Sequence, residues 1–256
     1  MYRDFWLNSS HSIRFSPTES IRFGSNVYRF DIAVASSALD SEIFSICEDS
    51  SADLMILRAP STRVKLGAML SRLESKRSFQ ADTLVYYELD TSKFGALYNG
   101  DTEIFRLQSI DLDRVEQFKT LIKQTFHDYT NHYSSNPNLD GFSVEDGYLE
   151  WALGLLADSS CNSFVRCTNP NYIDGWMTVK QDGDYVEMII GGSNPLARGT
   201  GTYMKLVNAI VLYYLNFGTK YIRVSSQITN TDVIGVWQKN GFKFLGSINT
   251  FHIEKT

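Results

Sequence analysis

Two glycines bracket a threonine just after an arginine in the segment PLARGTGTYMKL, which runs from Pro195 to Leu206. Gly199 and Gly201 leave the main chain open to close approach by a ligand, and Arg198 adds a charged donor. The first backbone amides of the helix predicted to follow have no internal acceptors and favour phosphate groups. Since such a turn is also a common way to begin a helix, the neighbouring sequence must decide between the two interpretations.

Three strands are predicted immediately before this segment. An Asp-Gly pair within Gln181–Asp184 indicates a tight hairpin turn between the last two of them. The three strands lie in NSFVRCT, YIDGWMTVKQ and DYVEMIIGG. An antiparallel meander is therefore expected to lead directly into the glycine-containing segment.

A helix, a strand, a shorter helix and a final strand are predicted after the segment. The first helix runs from about Gly201 to Phe217 and ends at Gly218. Asn230 is a suitable cap for the second helix, and Gly241 ends it. The last three elements lie in KYIRVSSQ, NTDVIGVWQKNGF and FKFLGSINTFHIEK.

This order of elements, with two short motifs, resembles the acyl-CoA-binding core of the GNAT acetyltransferase superfamily. The segment SNPLARGTG is similar to the family pattern V-x-P-x-x-R-G-x-G, with Ser193 in place of the apolar residue. The later segment NTDVIGVWQKNGF is similar to N-x-x-A-x-x-x-Y-x-x-x-G-F. The resemblance implies an α/β (α+β) GNAT fold with a central mixed, mostly antiparallel twisted sheet. It also implies an N-acyltransferase that uses acetyl-CoA or another short acyl-CoA and no metal.

The same resemblance assigns the residues that would hold coenzyme A. The strand that ends near Ile190 and Gly191 would pair with the pantetheine arm and point an amide at the thioester carbonyl. Asn230 would contact the pantetheine side while capping its helix, or act as a cap alone. The residues expected around the pyrophosphate are Arg198, Gly199, Thr200, Gly201 and Thr202.

Position 237 departs from the family pattern, because Trp237 stands where the motif usually has a tyrosine proposed to protonate the departing thiolate. An indole N–H donates hydrogen bonds but has no acidic proton to give at neutral pH. Either the thiol takes its proton from water, another residue or the substrate ammonium, or the chain is a poor catalyst. Packing alone is an equally weighted role for Trp237.

An amine must be neutral before it attacks, so a base or a water chain is needed. His132 has a suitable unperturbed pKa, and Glu187, on the strand before the glycine-containing segment, could act through water. Each has a plainer alternative, a surface histidine in a loop and a solvent-facing strand residue.

The acceptor is expected to meet the polar, aromatic stretch His127–Gly141, which we predict cannot bury itself in a core. Tyr129, Tyr133 and Asn136 are candidates to stack on or hydrogen-bond the acceptor. A solvated connector and a dimer contact are the alternatives for this stretch, and a homodimer is an open question.

The first hundred residues predict a separate α/β half. Strands in Asn26–Val34, Asp53–Ala59 and Ala81–Asp90 alternate with helices in DSEIFSICED and TRVKLGAMLSRLESK. Little periodicity follows in Ser92–Glu103, so we place a boundary there, between an N-terminal domain of residues 1–100 and a GNAT domain of 101–256. The second domain opens with a strand in EIFRLQSI and helices from about Asp113 to Phe126 and from Val144 to Asp158.

Composition narrows the classes of partner. A net charge of -5 argues against general binding to nucleic acid or acidic membranes, and no segment approaches the ~18 apolar residues of a membrane span. A soluble, cytoplasmic protein is expected. Cys47, Cys161 and Cys167 lack metal-type spacing, so they are interpreted as reduced thiols.

The whole chain is similar, more specifically, to TDP-fucosamine acetyltransferases. The resemblance rests on the extra N-terminal half, on RVSSQITNT at Arg223–Thr231 and on the loop around Tyr133–Pro137. It implies transfer of an acetyl or 3-hydroxybutyryl group to the amine of a TDP-linked 3- or 4-amino-dideoxysugar. Two alternatives stay open: another amine as acceptor, and an acyl-CoA-binding protein without activity.

Overall fold

The computed structural model describes residues 5–6, 8–94, 104–107, 112–139, 141–167 and 172–256. The first seven elements are β1 (His11–Phe15), α1 (Pro17–Phe23), β2 (Val27–Ile32), α2 (Asp40–Asp49), β3 (Leu54–Pro60), α3 (Leu66–Leu70) and β4 (Lys76–Asp90). The next five are β5 (Ile104–Leu107), α4 (Leu112–Phe126), α5 (Val144–Ala157), β6 (Cys161–Arg166) and β7 (Gly175–Asp182). The last five are β8 (Tyr185–Ser193), α6 (Thr202–Leu215), β9 (Tyr221–Gln227), α7 (Thr231–Lys239) and β10 (Lys243–Lys255). The predicted α/β fold class is confirmed.

The chain forms two compact units. The first comprises Met1–Val85, Thr130–Phe142 and Gly246–Thr256, and the second comprises Tyr86–Tyr129 and Ser143–Leu245. The boundary predicted near residue 100 lies outside the described residues, so the division into domains 1–100 and 101–256 stays a prediction.

In the first unit the strand order is β1-β2-β3-β10-β4. β2 and β3 are parallel, whereas β1 with β2 and β10 with β3 are antiparallel. One face of this sheet is apolar and packs against α2 and α3. The core between them includes Phe30, Ile32, Leu57 and Phe251 from the strands and Ile43, Cys47, Leu66 and Leu70 from the helices.

In the second unit the order is β4-β9-β8-β7-β6-β5. The strands from β5 to β8 pair antiparallel in succession, which confirms the predicted meander, and β8 pairs with β9 in parallel. The turn between β7 and β8 contains Gly183 at a φ of +59°, as the Asp-Gly signal indicates. The core beneath α4 and α5 includes Phe118, Ile122, Phe126, Ala152, Val165 and Trp176.

Two elements differ in length from the sequence prediction. The helix predicted across TRVKLGAMLSRLESK is confined to Leu66–Leu70. Arg63 donates to the carbonyl oxygens of Ser36 and Ala38, both at 2.9 Å, and these bonds hold the preceding residues in a turn. The strand predicted at Ala81–Asp90 is β4, and it begins earlier, at Lys76.

Two further findings bear on partners and chemistry. None of the described helices is long and apolar enough to cross a membrane. Cys47, Cys161 and Cys167 are free, and burial raises the pKa of each thiol, to about 12 for Cys47. Because the thiolate is the nucleophilic form, this environment disfavours cysteine nucleophiles.

Candidate functional site

The glycine-containing segment joins β8 to α6 in the second unit. The Asn194 side chain accepts a hydrogen bond from the Leu196 amide at 2.9 Å, which fixes a short 3-10 turn over Pro195–Ala197. Gly199 and Gly201 follow at φ values of +79° and +78°. A residue with a side chain is strained in this left-handed region, so the backbone path itself calls for glycine.

The first turn of α6 presents unused donors. The Lys205 amide makes the first hydrogen bond of the helix, to the Gly201 carbonyl at 2.9 Å, so the amides of Thr202, Tyr203 and Met204 precede it. Thr200 Oγ1 donates to the Ala197 carbonyl at 2.7 Å and lies 2.9 Å from Thr202 Oγ1. Backbone amides at the positive end of a helix dipole suit phosphate oxygens.

Strands β8 and β9 pair over only part of their length. The parallel register runs from Tyr185 opposite Tyr221 to Met188 opposite Val224. A bulge at Ile189 shifts the register of β8 with β7 at the same level. Beyond the bulge, β8 continues to Ser193 beside β7, and its other edge is outside the register with β9. An edge of this kind can pair with an extended ligand.

Two glycines at the end of β8 are required by close packing. A side chain at Gly191 would lie 2.5 Å from Met177 Sδ and 2.7 Å from the Trp176 carbonyl oxygen. A side chain at Gly192 would lie 2.6 Å from Thr125 Cγ2. Ile190, between this pair and the bulge, is buried.

A cavity of about 380 Å³ opens beside the loop. The cavity is lined by two positively charged residues, Arg166 and Lys205, and one negatively charged residue, Asp174. Arg166 forms an ion pair with Asp174 at 3.3 Å. The complete lining is Arg166, Tyr172, Asp174, Leu196, Ala197, Thr200, Thr202 and Lys205. The excess of positive charge favours an anionic group in this cavity.

Trp237 is only 2% exposed and packs against Tyr87, with ring centroids 5.8 Å apart. Its indole N–H donates to the Tyr203 hydroxyl at 3.3 Å. Burial raises the pKa of Tyr203 although this hydrogen bond lowers it, so the hydroxyl keeps its proton at neutral pH. Tyr203 was not among the site residues predicted from the sequence. The available signal was a phenol in the first turn after the two glycines.

Asn230 and Glu187 lie on neighbouring elements of the second unit. Asn230 occupies the cap position of α7 as predicted, but its side chain donates to Ser226 Oγ at 3.0 Å and does not cap the helix. The expected side-chain cap was therefore wrong. Glu187 is half-buried. In the strand register it lies opposite Lys180 on β7 and opposite Arg223 on β9.

Tyr129 belongs to the second unit. Its hydroxyl donates to Oε1 of Gln227, at the end of β9. Its ring packs edge-on against Phe126 and Tyr148 at centroid distances of 5.3 and 5.6 Å. Gln227 was not among the predicted site residues, and its place beside Tyr129 has no signal in the sequence.

His132 and Asn136 belong to the first unit, and both are buried. The prediction that their stretch cannot bury itself was therefore wrong at these two positions, although most described residues of His127–Gly141 are exposed. Asn136 Nδ2 donates to His252 Nδ1 at 3.0 Å and to Glu254 Oε1 at 2.5 Å, and His252 Nε2 lies 2.9 Å from His132 Nδ1. These mutual hydrogen bonds remove the penalty of burying the polar groups.

Tyr133 lies in the same unit and completes a second buried network. Its hydroxyl donates to Glu19 and accepts from Arg29 Nη2 at 3.1 Å, while Arg29 Nε binds Glu19 Oε2 at 2.7 Å. Burial by itself raises the pKa of Glu19, but the charge and hydrogen bonds of Arg29 lower it to about 2. Burial raises the pKa of Tyr133 to about 12. Glu19 is thus a carboxylate at neutral pH.

The structure therefore distributes the predicted residues between the units. The cofactor set lies on consecutive elements of the second unit, together with Glu187, Trp237 and Tyr129. His132, Tyr133 and Asn136 lie in the first unit.

Comparison with solved structures identifies the architecture. The chain superposes on a GCN5-related N-acetyltransferase from Sphaerobacter thermophilus with a TM-score of 0.58 and 10% identity, covering 96% of this chain and 76% of that one. It superposes on a GNAT-family acetyltransferase from Colwellia psychrerythraea with a TM-score of 0.55 and 10% identity, covering 90% and 78%. The chain has the GNAT fold.

A functionally unknown conserved protein from Staphylococcus epidermidis shares the fold with a TM-score of 0.65 and 11% identity, over 97% of this chain and 92% of that one. No protein-family model matches the chain. No curated protein matches it either. At these identities the likeness establishes the GNAT fold, and function has to be argued from the site.

Proposed function

We propose that the chain is an acyl-CoA-dependent N-acyltransferase that moves an acyl group from acyl-CoA to an amine by direct attack. The observation that carries this proposal is the loop before α6, where Gly199 and Gly201 adopt positive φ and the first helical amides have no internal acceptor. The GNAT fold and the free edge of β8 next to this loop support it.

The second unit would hold acyl-CoA at its pyrophosphate, at its pantetheine arm and at its thioester carbonyl. The amides of Gly199–Thr202, with Arg198, would bind the pyrophosphate. The edge of β8 around Ile190 and Gly191 would pair with the pantetheine arm and direct an amide at the thioester carbonyl. Acyl-CoA supplies an activated carbonyl: the amine nitrogen forms a bond to its carbon, the carbon–sulfur bond breaks, and free thiol leaves.

Tyr203 supplies the proton that Trp237 cannot give. The Trp237 N–H donates to the Tyr203 oxygen, so the Tyr203 proton is left to another acceptor. The same N–H would stabilise the phenolate formed after proton transfer. Glu187, in the same unit, is the proposed base acting through water. His132, in the first unit, was the other candidate base from the sequence, but burial lowers its pKa well below the usual range and its Nδ1 faces His252 Nε2 at 2.9 Å, so Glu187 is preferred.

Substitution of Tyr203 tests this assignment. Tyr203→Phe should lower kcat about 10- to 100-fold with little change in the affinity for CoA, because a general acid acts only on the transition state. Tyr213→Phe, on the same helix, is the matched control and should leave kcat unchanged. Equal kcat values for Tyr203→Phe and the unmodified protein would exclude Tyr203 as the proton donor.

The acceptor that the sequence favours is a TDP-linked 3- or 4-amino-dideoxysugar. Tyr129, in the second unit, would contact it after exchanging its present partner Gln227. Tyr133 and Asn136, in the first unit, stay candidates from the sequence. Acetyl is the proposed acyl group, with 3-hydroxybutyryl as the second choice.

Thiol release decides the function. The protein is incubated with acetyl-CoA or 3-hydroxybutyryl-CoA and each member of an amine panel, and CoA binding is measured in parallel by calorimetry. The panel contains TDP-linked 3-amino and 4-amino sugars, polyamines, aminoglycosides and a peptide with a free N-terminus. Turnover of a TDP-amino sugar with the highest kcat/KM supports the acceptor assignment. A better substrate elsewhere in the panel keeps the N-acyltransferase and removes that acceptor.

Trp237 specifically favours a second candidate, an acyl-CoA-binding protein without transferase activity. Binding of CoA without turnover of any amine, in both the unmodified protein and Trp237→Tyr, would favour this candidate. Absence of CoA binding would contradict both functions.

A further inference from the structure

Arg58, in the middle of β3 in the first unit, is a buried cation without a counter-ion among the residues that the structure describes. Its side chain is 8% exposed, and Nε is buried without a hydrogen-bond partner. Across the part of the chain that the structure describes, no ion pair joins Arg58 to a carboxylate. A buried guanidinium costs several kcal/mol when it is not paired.

Thr250 lies directly opposite Arg58 on the neighbouring strand β10. It is fully buried, and its Oγ1 also has no hydrogen-bond partner. His252 is two residues farther along β10 and therefore faces the same side of the sheet. Two unpartnered polar groups on adjacent strands therefore share one buried patch.

The nearby carboxylates are bound to other groups. Asp31, which is opposite Arg58 on β2, forms an ion pair with Arg14 at 2.6 Å. Glu19 pairs with Arg29 at 2.7 Å. Glu254 accepts from the side-chain amides of Asn136 and Asn138. None of these three contacts Arg58 closely enough to neutralise it.

The hydrogen bonds that link Asn136, His252 and His132 leave one further N–H donor, on His132. Asn136 Nδ2 is a donor because it also binds the Glu254 carboxylate, so His252 Nδ1 must accept and His252 Nε2 carries the proton. That proton is donated to His132 Nδ1, which leaves the His132 proton on Nε2. His132 Nε2–H is therefore a donor that the network itself does not use.

We propose that Arg58, Thr250 and His132 form a binding site in the first unit for the carboxylate group of a small-molecule ligand. A planar guanidinium matches a carboxylate with two parallel hydrogen bonds. The Thr250 hydroxyl and the His132 N–H supply the remaining donors around the two oxygens. The site does not depend on the proposed acyl transfer, since none of its measurements requires turnover.

Charge favours a carboxylate over a phosphate. Burial, followed by the charge of Arg58, lowers the pKa of His132 well below its usual range. Burial lowers the pKa of His252 to about 4, although the charge of Glu19 raises it, so both rings are neutral at pH 7. Among the described residues, Arg58 is then the unpaired charge of the patch, and a monoanion neutralises it. A phosphate dianion would leave a buried negative charge near Glu254.

The test uses NMR of the arginine Nε–H signals in the full chain, titrated with sodium acetate at constant ionic strength. The Arg58 signal, assigned by its loss in Arg58→Lys, should shift with saturation in the millimolar range. Thr250→Val keeps the shape of the side chain and should weaken acetate binding several-fold. Arg72→Met, at an exposed arginine of the same unit, is the matched control and should bind acetate as the unmodified protein does.

The stability of the Arg58→Met variant distinguishes a ligand-binding arginine from an arginine that only supports the fold. Without acetate, Arg58→Met should be as stable as the unmodified protein or more stable, because an unpaired buried charge is removed. Acetate should then protect the unmodified protein, but not Arg58→Met, against unfolding. If Arg58→Met does not fold, the Arg58 shift and the Thr250→Val titration still decide.

Three results would overturn the proposal. The first is an Arg58 signal that does not saturate with acetate, or that responds equally in Thr250→Val. The second is a loss of stability in Arg58→Met that acetate does not affect, which indicates a structural arginine. The third is tighter binding of inorganic phosphate than of acetate, which contradicts the carboxylate assignment.

Discussion

The two units use polar groups in opposite ways. In the second unit, the candidate donor site is made mainly of backbone: positive-φ glycines, the first amides of α6 and the edge of β8. In the first unit, buried side chains carry the polarity, and Tyr133 meets Glu19 across 114 residues of sequence. A backbone site tolerates many side chains but few changes at glycine, whereas a side-chain network depends on every partner.

The largest effect is expected from breaking the side-chain network of the first unit at Glu19. Glu19→Gln leaves Arg29 buried without its counter-ion, which should lower the free energy of unfolding by about 3–5 kcal/mol. Denaturant unfolding measures the change. Glu116→Gln removes an exposed ion pair with Lys119 and should change stability by less than about 1 kcal/mol. Equal effects of the two substitutions would contradict the contrast.

The next effect tests the backbone site. Gly191→Ala places a side-chain carbon 2.7 Å from the Trp176 carbonyl oxygen, which is main chain, so β7 and β8 must shift. Overpacking of this kind should cost about 1–3 kcal/mol and also weaken CoA binding. Gly235→Ala, at an open position of α7, should be neutral or stabilise the protein by up to about 1 kcal/mol. Unchanged CoA affinity in Gly191→Ala would separate this strand from the donor site.

A pH titration distinguishes the units by their histidines. His252 has a pKa of about 4 in the native protein, against 6.5 in the unfolded chain, because of burial. Between these values the unfolded chain binds the extra proton, so stability is present above pH 6.5 and falls by about 1.4 kcal/mol per pH unit as pH decreases. Unfolding measured from pH 7 to 5 should show this slope. It should persist in His127→Gln, at an exposed histidine, and diminish in His252→Asn.

The smallest effect is expected at the surface of the donor site. Arg198 is exposed, and its Nη2 lies 3.5 Å from the Thr125 carbonyl oxygen. Arg198→Ala should leave stability unchanged and weaken CoA binding about 10-fold, by loss of a charged hydrogen bond to phosphate. Calorimetry with CoA measures this, with Lys239→Ala as an exposed control. No change in affinity would indicate that the backbone amides alone hold the phosphates.

The elements of the second unit could be predicted from sequence because their signals are local. Gly199, Gly201, Gly218 and Gly241 mark backbone positions with positive φ, and each is visible in the sequence as a turn or a helix end. The helix predicted from about Asp113 to Phe126 is found as α4, and its Phe118 and Ile122, four residues apart, lie in the core.

The same reasoning failed where a partner is distant. Asn230 is suited to cap a helix by its type and position. In the structure its side-chain amide donates a hydrogen bond to Ser226 Oγ on the preceding strand. The stretch around His132 is polar and was expected in solvent, although His252, 120 residues away, makes its burial favourable. A local sequence pattern shows which residues are polar, but it does not show which distant residues will form hydrogen bonds with them.

The sequence by itself determined the order of the elements, the meander, the glycine loop and the likeness to the GNAT core, since these depend on neighbours along the chain. Only the tertiary structure decided that Tyr203 lies against Trp237, that His132 and Asn136 are buried, and that Arg58 has no carboxylate partner among the described residues. The physical reason is that pairing and desolvation of polar side chains depend on contacts between distant residues, which no local spacing encodes.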